Sequence, residues 1–399
     1  MPEISKTGQV IPASPIRKLV PFAEEAKRRG IKVYHLNIGQ PDIHTPELAM
    51  EAIRNLDDKV IEYTHSAGIE SYRRALATFY CAQGKMVDYT NIVVTTGGSE
   101  AILLSMLAVC NPGDEIIVPE PYYANYNSFA IEAQVKIVPV TSRIEENFAL
   151  PPIAQLEKLI TPATRAILIC NPNNPTGYLY SQEEMLSLRD LVLKHDIFLM
   201  SDEVYSDFCY DNRVQHSVLS LQGVDKNVIL IDSSSKRYSM CGVRVGAVVS
   251  RNAEVMDAIL RMGQARLCAP YLGQVAAQAA LSAPRSYYED VKAKYVSRRN
   301  YMIQALQQMD GVICPMPCGA FYAIASLPID NADRFCQWLL EEYSFQGATV
   351  MLAPAQGFYS NPQTCPQTEV RLAYVLELDE LKVAMKVLSE ALKSYSKMI

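Results

Sequence analysis

The sequence predicts an α/β fold: a mixed, mostly parallel seven-stranded sheet between helices, with a smaller α+β domain beside it. Three observations carry that expectation. Short, nearly continuous apolar runs recur from residue 91 onward, at 91–96, 115–118, 136–140, 165–170, 197–201, 228–232 and 244–250; such runs suit strands buried on both faces. Helix-length segments separate most of them, as parallel neighbours require. Beyond Pro284 the pattern changes to a long charged helix at 287–309, then shorter strands at 320–324 and 370–374 interleaved with helices.

Taken in order, the chain opens with Ser14-Pro15-Ile16-Arg17 and a helix at 22–29 that Gly30 stops. A short strand at 33–38 runs into Gly39-Gln40-Pro41-Asp42, a turn whose bare backbone leaves room for a ligand to approach. A helix near 46–56, a polar aromatic loop at 63–68 and a helix at 69–84 lead to the first sheet strand. The expected division is residues 46–285 as the large domain and 286–399 as the small one, with 1–45 joining the latter.

Composition narrows the function. At 399 residues, 49% of them hydrophobic, the chain can bury two sizeable cores. A net charge of -6 argues against nucleic acid or an anionic membrane as the main partner. No apolar run is long enough to span a bilayer. Ten cysteines without CxxC pairs and five histidines without HExxH spacing predict free thiols in a reducing compartment, no metal site, and a cytoplasmic location.

The chemistry gathers at strand ends. The run 228–231 leads to Ser233-Ser234-Ser235-Lys236, and Arg244 follows eight residues later inside a second apolar strand, 243–249. A lysine at the carboxyl end of a buried strand stands where ligands bind in such folds. Held away from water, such an amine is a nucleophile able to form a Schiff base. Serine hydroxyls and an arginine fork suit a phosphate. Gly97-Gly98-Ser99 opens a helix with free N–H groups toward an anion, though glycine there is also an ordinary turn. Tyr122-Tyr123 offers a stacking face or simply two core aromatics. Asn171-Pro172-Asn173-Asn174-Pro175-Thr176-Gly177 is a stiff turn after a strand. Asp202 directly follows an apolar run, where a carboxylate is costly unless it faces a cation or caps the next segment.

This ordered set resembles the fold-type I, pyridoxal-phosphate-dependent aminotransferases of class I/II, aspartate and aromatic aminotransferases among them. The residues that carry the likeness are 97–99, 121–123, 172–177, 202–205, the span from Ser233 through Lys236 to Arg244, and Val370-Arg371-Leu372. The resemblance implies pyridoxal 5'-phosphate held by Lys236 as a Schiff base, and a ping-pong transfer of an amino group from an L-amino acid to a 2-oxo acid such as 2-oxoglutarate. It implies that Lys236 also moves the proton at the substrate Cα, and that Asp202 keeps the pyridine nitrogen protonated. Tyr205 and Asn174 would bond the ring oxygen, and Tyr123 would stack on the ring. Gly98, Ser99, Ser233 and Arg244 would bind the phosphate, joined by Tyr63 from a neighbouring subunit, so that a homodimer shares its active sites. Arg371 would grip the substrate carboxylate, with the Ile38-Gly39 backbone and Asn174 beside it. The bonds Glu120–Pro121 and Asn174–Pro175 would be cis.

Substrate choice is less marked. Where one subgroup of the family places an arginine for a distal carboxylate, Gln264 stands, and where another has a lysine, Ser99 stands. Arg17 and Arg266 are the remaining candidates, and aspartate, aromatic and broad specificity stay open. An eliminating enzyme of the same fold, such as a C–S β-lyase, is the alternative activity.

Overall fold

Val228, Ile229, Leu230 and Ile231 have no exposed surface, because both faces of their strand are covered. Successive side chains along it point opposite ways. Ile229 and Ile231 join the core formed with helices Gly97–Val109, Asn125–Glu132 and Ala253–Arg266. Val228 and Leu230 join the core formed with helices Glu70–Ala82, Gln182–His195 and Tyr271–Ala280. This three-layer arrangement explains why the run carries no alternation of polar and apolar residues.

The computed structural model describes residues 2–398. Its strands are β1 (Lys32–His35), β2 (Ile92–Thr95), β3 (Glu115–Glu120), β4 (Lys136–Thr141), β5 (Thr164–Cys170) and β6 (Phe198–Asp202). They continue with β7 (Val228–Ser233), β8 (Gly246–Val249), β9 (Tyr322–Ser326), β10 (Ala348–Met351), β11 (Ala353–Pro354) and β12 (Glu369–Ala373). The main sheet has seven strands in the order β2-β8-β7-β6-β5-β3-β4. All neighbours in it are parallel except those of β8, which runs antiparallel to both β2 and β7. The expected mixed, mostly parallel sheet is therefore present.

A second layer combines the two ends of the chain. β1 pairs in parallel with β10, and β9, β11 and β12 form an antiparallel sheet. Leu19, Ala23 and Leu36 pack into one core with residues of helices Arg285–Gln307, Ala332–Glu341 and Leu378–Tyr395. Asp42 reaches across to Arg298 at 2.7 Å.

Two expectations need correction. Arg244 does not lie inside a strand: β8 begins at Gly246, and Arg244 precedes it in a left-handed conformation at φ 55°. Glu120–Pro121 is cis as expected, but the second cis bond is Asn171–Pro172 and not Asn174–Pro175. Among the described residues no helix is long and apolar enough to cross a membrane.

Candidate active site

The parallel strands β2, β5, β6 and β7 finish at one edge of the sheet, and antiparallel β8 starts there. Residues just after the first four and just before β8 must therefore meet, at the edge where open α/β sheets bind ligands. They line a cavity of about 760 Å³. Gly98, Ser99, Tyr123, Asn174, Asp202, Tyr205, Ser233, Lys236, Arg244, Arg371 and Gly39 all contribute to its wall.

At one end the helix Gly97–Val109 directs its first turn into the cavity beside Arg244 and Ser233. Gly97 has φ +78°, and a Cβ there would lie 2.5 Å from Arg244 Nη2, so glycine lets the guanidinium close on the helix start. Arg244 Nη1 donates to the Cys241 carbonyl at 3.0 Å, and Ser233 Oγ donates to Ser235 Oγ at 2.8 Å. Free helix N–H groups, hydroxyls and a guanidinium make a seat for a phosphate.

Lys236 sits in the short helix Ser234–Arg237 that follows β7. The helix is anchored by its neighbour: Arg237 is buried and forks onto Asp232 at 3.1 and 3.2 Å, and it also pairs with Asp207. Lys236 Nζ is left facing the cavity, donating to the Gly39 carbonyl at 2.9 Å.

Asp202 ends the central strand β6, between Cys170 and Ile231 of the adjacent strands. Tyr126 donates to its Oδ2 at 2.8 Å, and burial pushes the carboxyl up to about 6. Its hydrogen-bond partners are the Tyr126 hydroxyl and the Val204 N–H, and among the described residues no cation pairs with it. Across the cavity Arg371 presents the opposite case. It is 1% exposed, its Nε has no hydrogen-bond partner, and burial holds its pKa below the usual guanidinium range. Its Nη1 donates to Asn174 Oδ1 at 3.0 Å, its Nη2 donates to the Asn37 carbonyl, and its guanidinium carbon lies 4.6 Å from the Tyr322 ring centre. Asn174 Nδ2 in turn donates to the Tyr205 hydroxyl at 3.3 Å. A buried acid lacking a cation and a buried cation lacking an acid are both costly unless a ligand supplies the partners.

A match to the family of class I and II aminotransferases covers residues 31–388. The chain is a class I/II aminotransferase. The aspartate aminotransferase of Pyrococcus horikoshii is 31% identical over 402 residues, 98% of this chain and 97% of that protein. An aromatic-amino-acid aminotransferase of Thermococcus litoralis is 30% identical over 98% of both chains. The solved aspartate aminotransferase of Thermus thermophilus with maleate has a TM-score of 0.89 at 29% identity, over 98% of this chain and 100% of that one.

The aminotransferase uses pyridoxal 5'-phosphate, and the residues of the cavity fit that group. A phosphate seat lies at one end, an amine stands in the wall, and the unpaired acid at Asp202 suits a ring cation. Two sequence candidates fall outside this wall: Tyr63 is 79% exposed on a loop elsewhere, and Arg266 turns away to Glu100 at 3.2 Å and the Val94 carbonyl at 3.1 Å. Arg266 is thereby removed as a partner for a substrate carboxylate in this chain's cavity. Tyr126, Tyr322, Ser235 and Cys241 were not singled out from sequence. Tyr126 follows the Pro121-Tyr122-Tyr123 motif closely enough to be suspected, whereas Tyr322 reads only as part of an apolar strand.

The Asp202 environment sets a stability test on cofactor-free protein. Unfolded, the carboxyl titrates near 3.8; folded, near 6. Between these values the folded chain binds more protons than the unfolded one, so stability falls as pH rises through that window. Asp202→Asn should remove about 3 kcal/mol of that decline. Glu369, which burial pushes up to about 7, keeps its own parallel decline in the variant. Urea unfolding of both proteins at several values across the window measures the difference; parallel curves would refute the assignment.

Proposed function

We propose that this aminotransferase takes amino donors and 2-oxo acceptors that carry a second carboxylate, aspartate, glutamate and 2-oxoglutarate among them. The observation behind this is the charge of the cavity wall: Arg17, Lys236, Arg244 and Arg371 line it against the single acid Asp202. Three of the four cations have tasks. Arg244, with Gly98, Ser99 and Ser233, holds the cofactor phosphate, Lys236 carries the reacting amine, and Arg371 grips the substrate α-carboxylate bidentately beside Asn174 and the Ile38-Gly39 backbone. Arg17 remains for a side-chain carboxylate, while Ile16 and Ile38 leave an apolar wall for larger donors.

Bound in this cavity, pyridoxal 5'-phosphate supplies an electron sink for the pair left when the substrate Cα–H bond breaks. Asp202 balances the ring cation, Tyr123 covers one ring face, and Tyr205 with Asn174 bonds the ring oxygen. Anchoring the substrate at Arg371 orients its Cα–H bond toward Lys236 Nζ, which takes the proton from Cα. The working unit is a homodimer in which Tyr63 of each subunit reaches the other's phosphate seat. In support, Tyr63 lies outside its own cavity, on a loop where Val60 and Ile61 are 69% and 62% exposed. Residues 46–285 form the large domain and 286–399 the small one, with 1–45 joining the latter. A cytoplasmic location fits ten unpaired thiols.

A panel of amino donors with 2-oxoglutarate, run on the natural protein and Arg17→Ala, tests the substrate reading. The variant should lose roughly 10- to 100-fold in kcat/KM for aspartate and glutamate, the range of a hydrogen bond between charged groups, and little for alanine or tyrosine. An equal loss across all donors would overturn it. Pyruvate and ammonia released from cysteine conjugates without an oxo-acid acceptor would mark elimination instead.

A further inference from the structure

Tyr322 is buried at the start of β9, and its surroundings give its hydroxyl and its ring separate tasks. In the antiparallel pair of β9 and β12, Tyr322 lies opposite Ala373 and Ile324 opposite Arg371. Tyr322 and Arg371 are therefore diagonal neighbours on one face of the sheet, within reach for long side chains. The ring lies 4.6 Å from the guanidinium carbon and supports it by cation–π attraction. The hydroxyl stands 3.0 Å from the Tyr205 hydroxyl and 3.5 Å from the Gly39 carbonyl, and its one proton favours the nearer oxygen, that of Tyr205. The Gly39 carbonyl receives the Lys236 amine. A Cβ on Gly39 would fall 1.7 Å from Tyr322 Oη, so residue 39 is glycine because of this tyrosine.

The hydroxyl of Tyr205 has one proton and two acceptor positions. Asn174 fills one acceptor position at 3.3 Å. Tyr322, the nearer of its two neighbours, fills the other when it donates, which leaves the Tyr205 proton free to point at the cofactor's ring oxygen. Hydrogen bonds in such a chain strengthen one another. We propose that Tyr322 is a positioning residue that orients and strengthens the Tyr205 hydroxyl toward the cofactor while its ring holds Arg371 for the substrate. This rests on the reading that Tyr205 bonds the ring oxygen.

The test uses holoenzyme and the pH dependence of its visible cofactor absorbance. Tyr322→Phe keeps the ring and removes the hydroxyl, so Tyr205 becomes a weaker donor and the phenolate form of the ring oxygen loses support. The apparent pKa of the absorbance change should rise by about half a unit, with the KM for amino donors within about twofold because the Arg371 contact survives. Tyr322→Leu, which removes the ring as well, should additionally raise those KM values. Tyr205→Phe serves as the reference and should move the pKa further than Tyr322→Phe. If Tyr205→Phe shifts the pKa and Tyr322→Phe does not, the assignment of Tyr322 is wrong while the reading of Tyr205 stands. If Tyr205→Phe itself leaves the pKa in place, the underlying reading of the site fails and takes this inference with it.

Discussion

Lys236→Ala should lower the turnover of the aminotransferase by about 10⁴-fold or more, since both nucleophilic and proton-transfer work are lost with one amine. The structure indicates that this loss would be chemical and not a failure to fold. The Lys236 amine bonds only the Gly39 carbonyl at 2.9 Å and, more weakly, Cys241 Sγ at 3.7 Å, whereas its helix is anchored through Arg237 on Asp232 and Asp207. The phosphate seat at Gly98, Ser99 and Arg244 is untouched, so the variant should still bind the cofactor, reversibly. Borohydride reduction followed by mass spectrometry separates the cases: the natural holoenzyme should gain the cofactor's mass permanently and the variant should not. Small primary amines added to the variant should restore part of the proton transfer. Residual turnover within tenfold of the natural protein would mean that another group does the chemistry.

Much of this site was legible because residues that meet in space stand at the ends of strands recognisable by their apolar runs. Asp202, Asn174, Ser233 and Lys236 follow that rule, and a parallel sheet delivers them to one edge. Arg244 broke the rule for a physical reason. Its strand runs the other way, so the functional residue precedes β8, and an apolar run carries no mark of its direction. Tyr322 was illegible for a similar reason, since only the register of β9 against β12 places it beside Arg371. The two Asn-Pro bonds at 171 and 174 share one dipeptide, so local chemistry could not tell them apart. Arg266 shows the converse, a charge whose residue type suited the task but whose helix turns it toward Glu100.

Arg371→Leu should separate function from stability more sharply than any other substitution. The guanidinium is almost wholly buried, its Nε is unpartnered, and its hydrogen bonds go to Asn174 and the Asn37 carbonyl rather than to a carboxylate. Without a substrate, this is a buried cation whose lost hydration is offset only by Asn174, the Asn37 carbonyl and two aromatic faces. Replacing it with an apolar side chain of similar volume should leave the thermal midpoint of the ligand-free protein unchanged or higher. With an amino acid bound the balance reverses, because the α-carboxylate supplies the missing charge in low dielectric, where losing one partner costs several kcal/mol. We expect kcat/KM to fall about 10³-fold for every amino donor, and to change little for a simple primary amine that lacks the carboxylate. Arg371→Lys should recover only part of the loss, since a point charge cannot reproduce the fork that meets both carboxylate oxygens. Calorimetry on the ligand-free proteins, with kinetics on matched acid and amine donors, checks both halves. A variant that still prefers the amino acid over the amine by the natural margin would show that the carboxylate binds elsewhere. A large drop in thermal midpoint would show that Arg371 is held for the fold and not for the substrate.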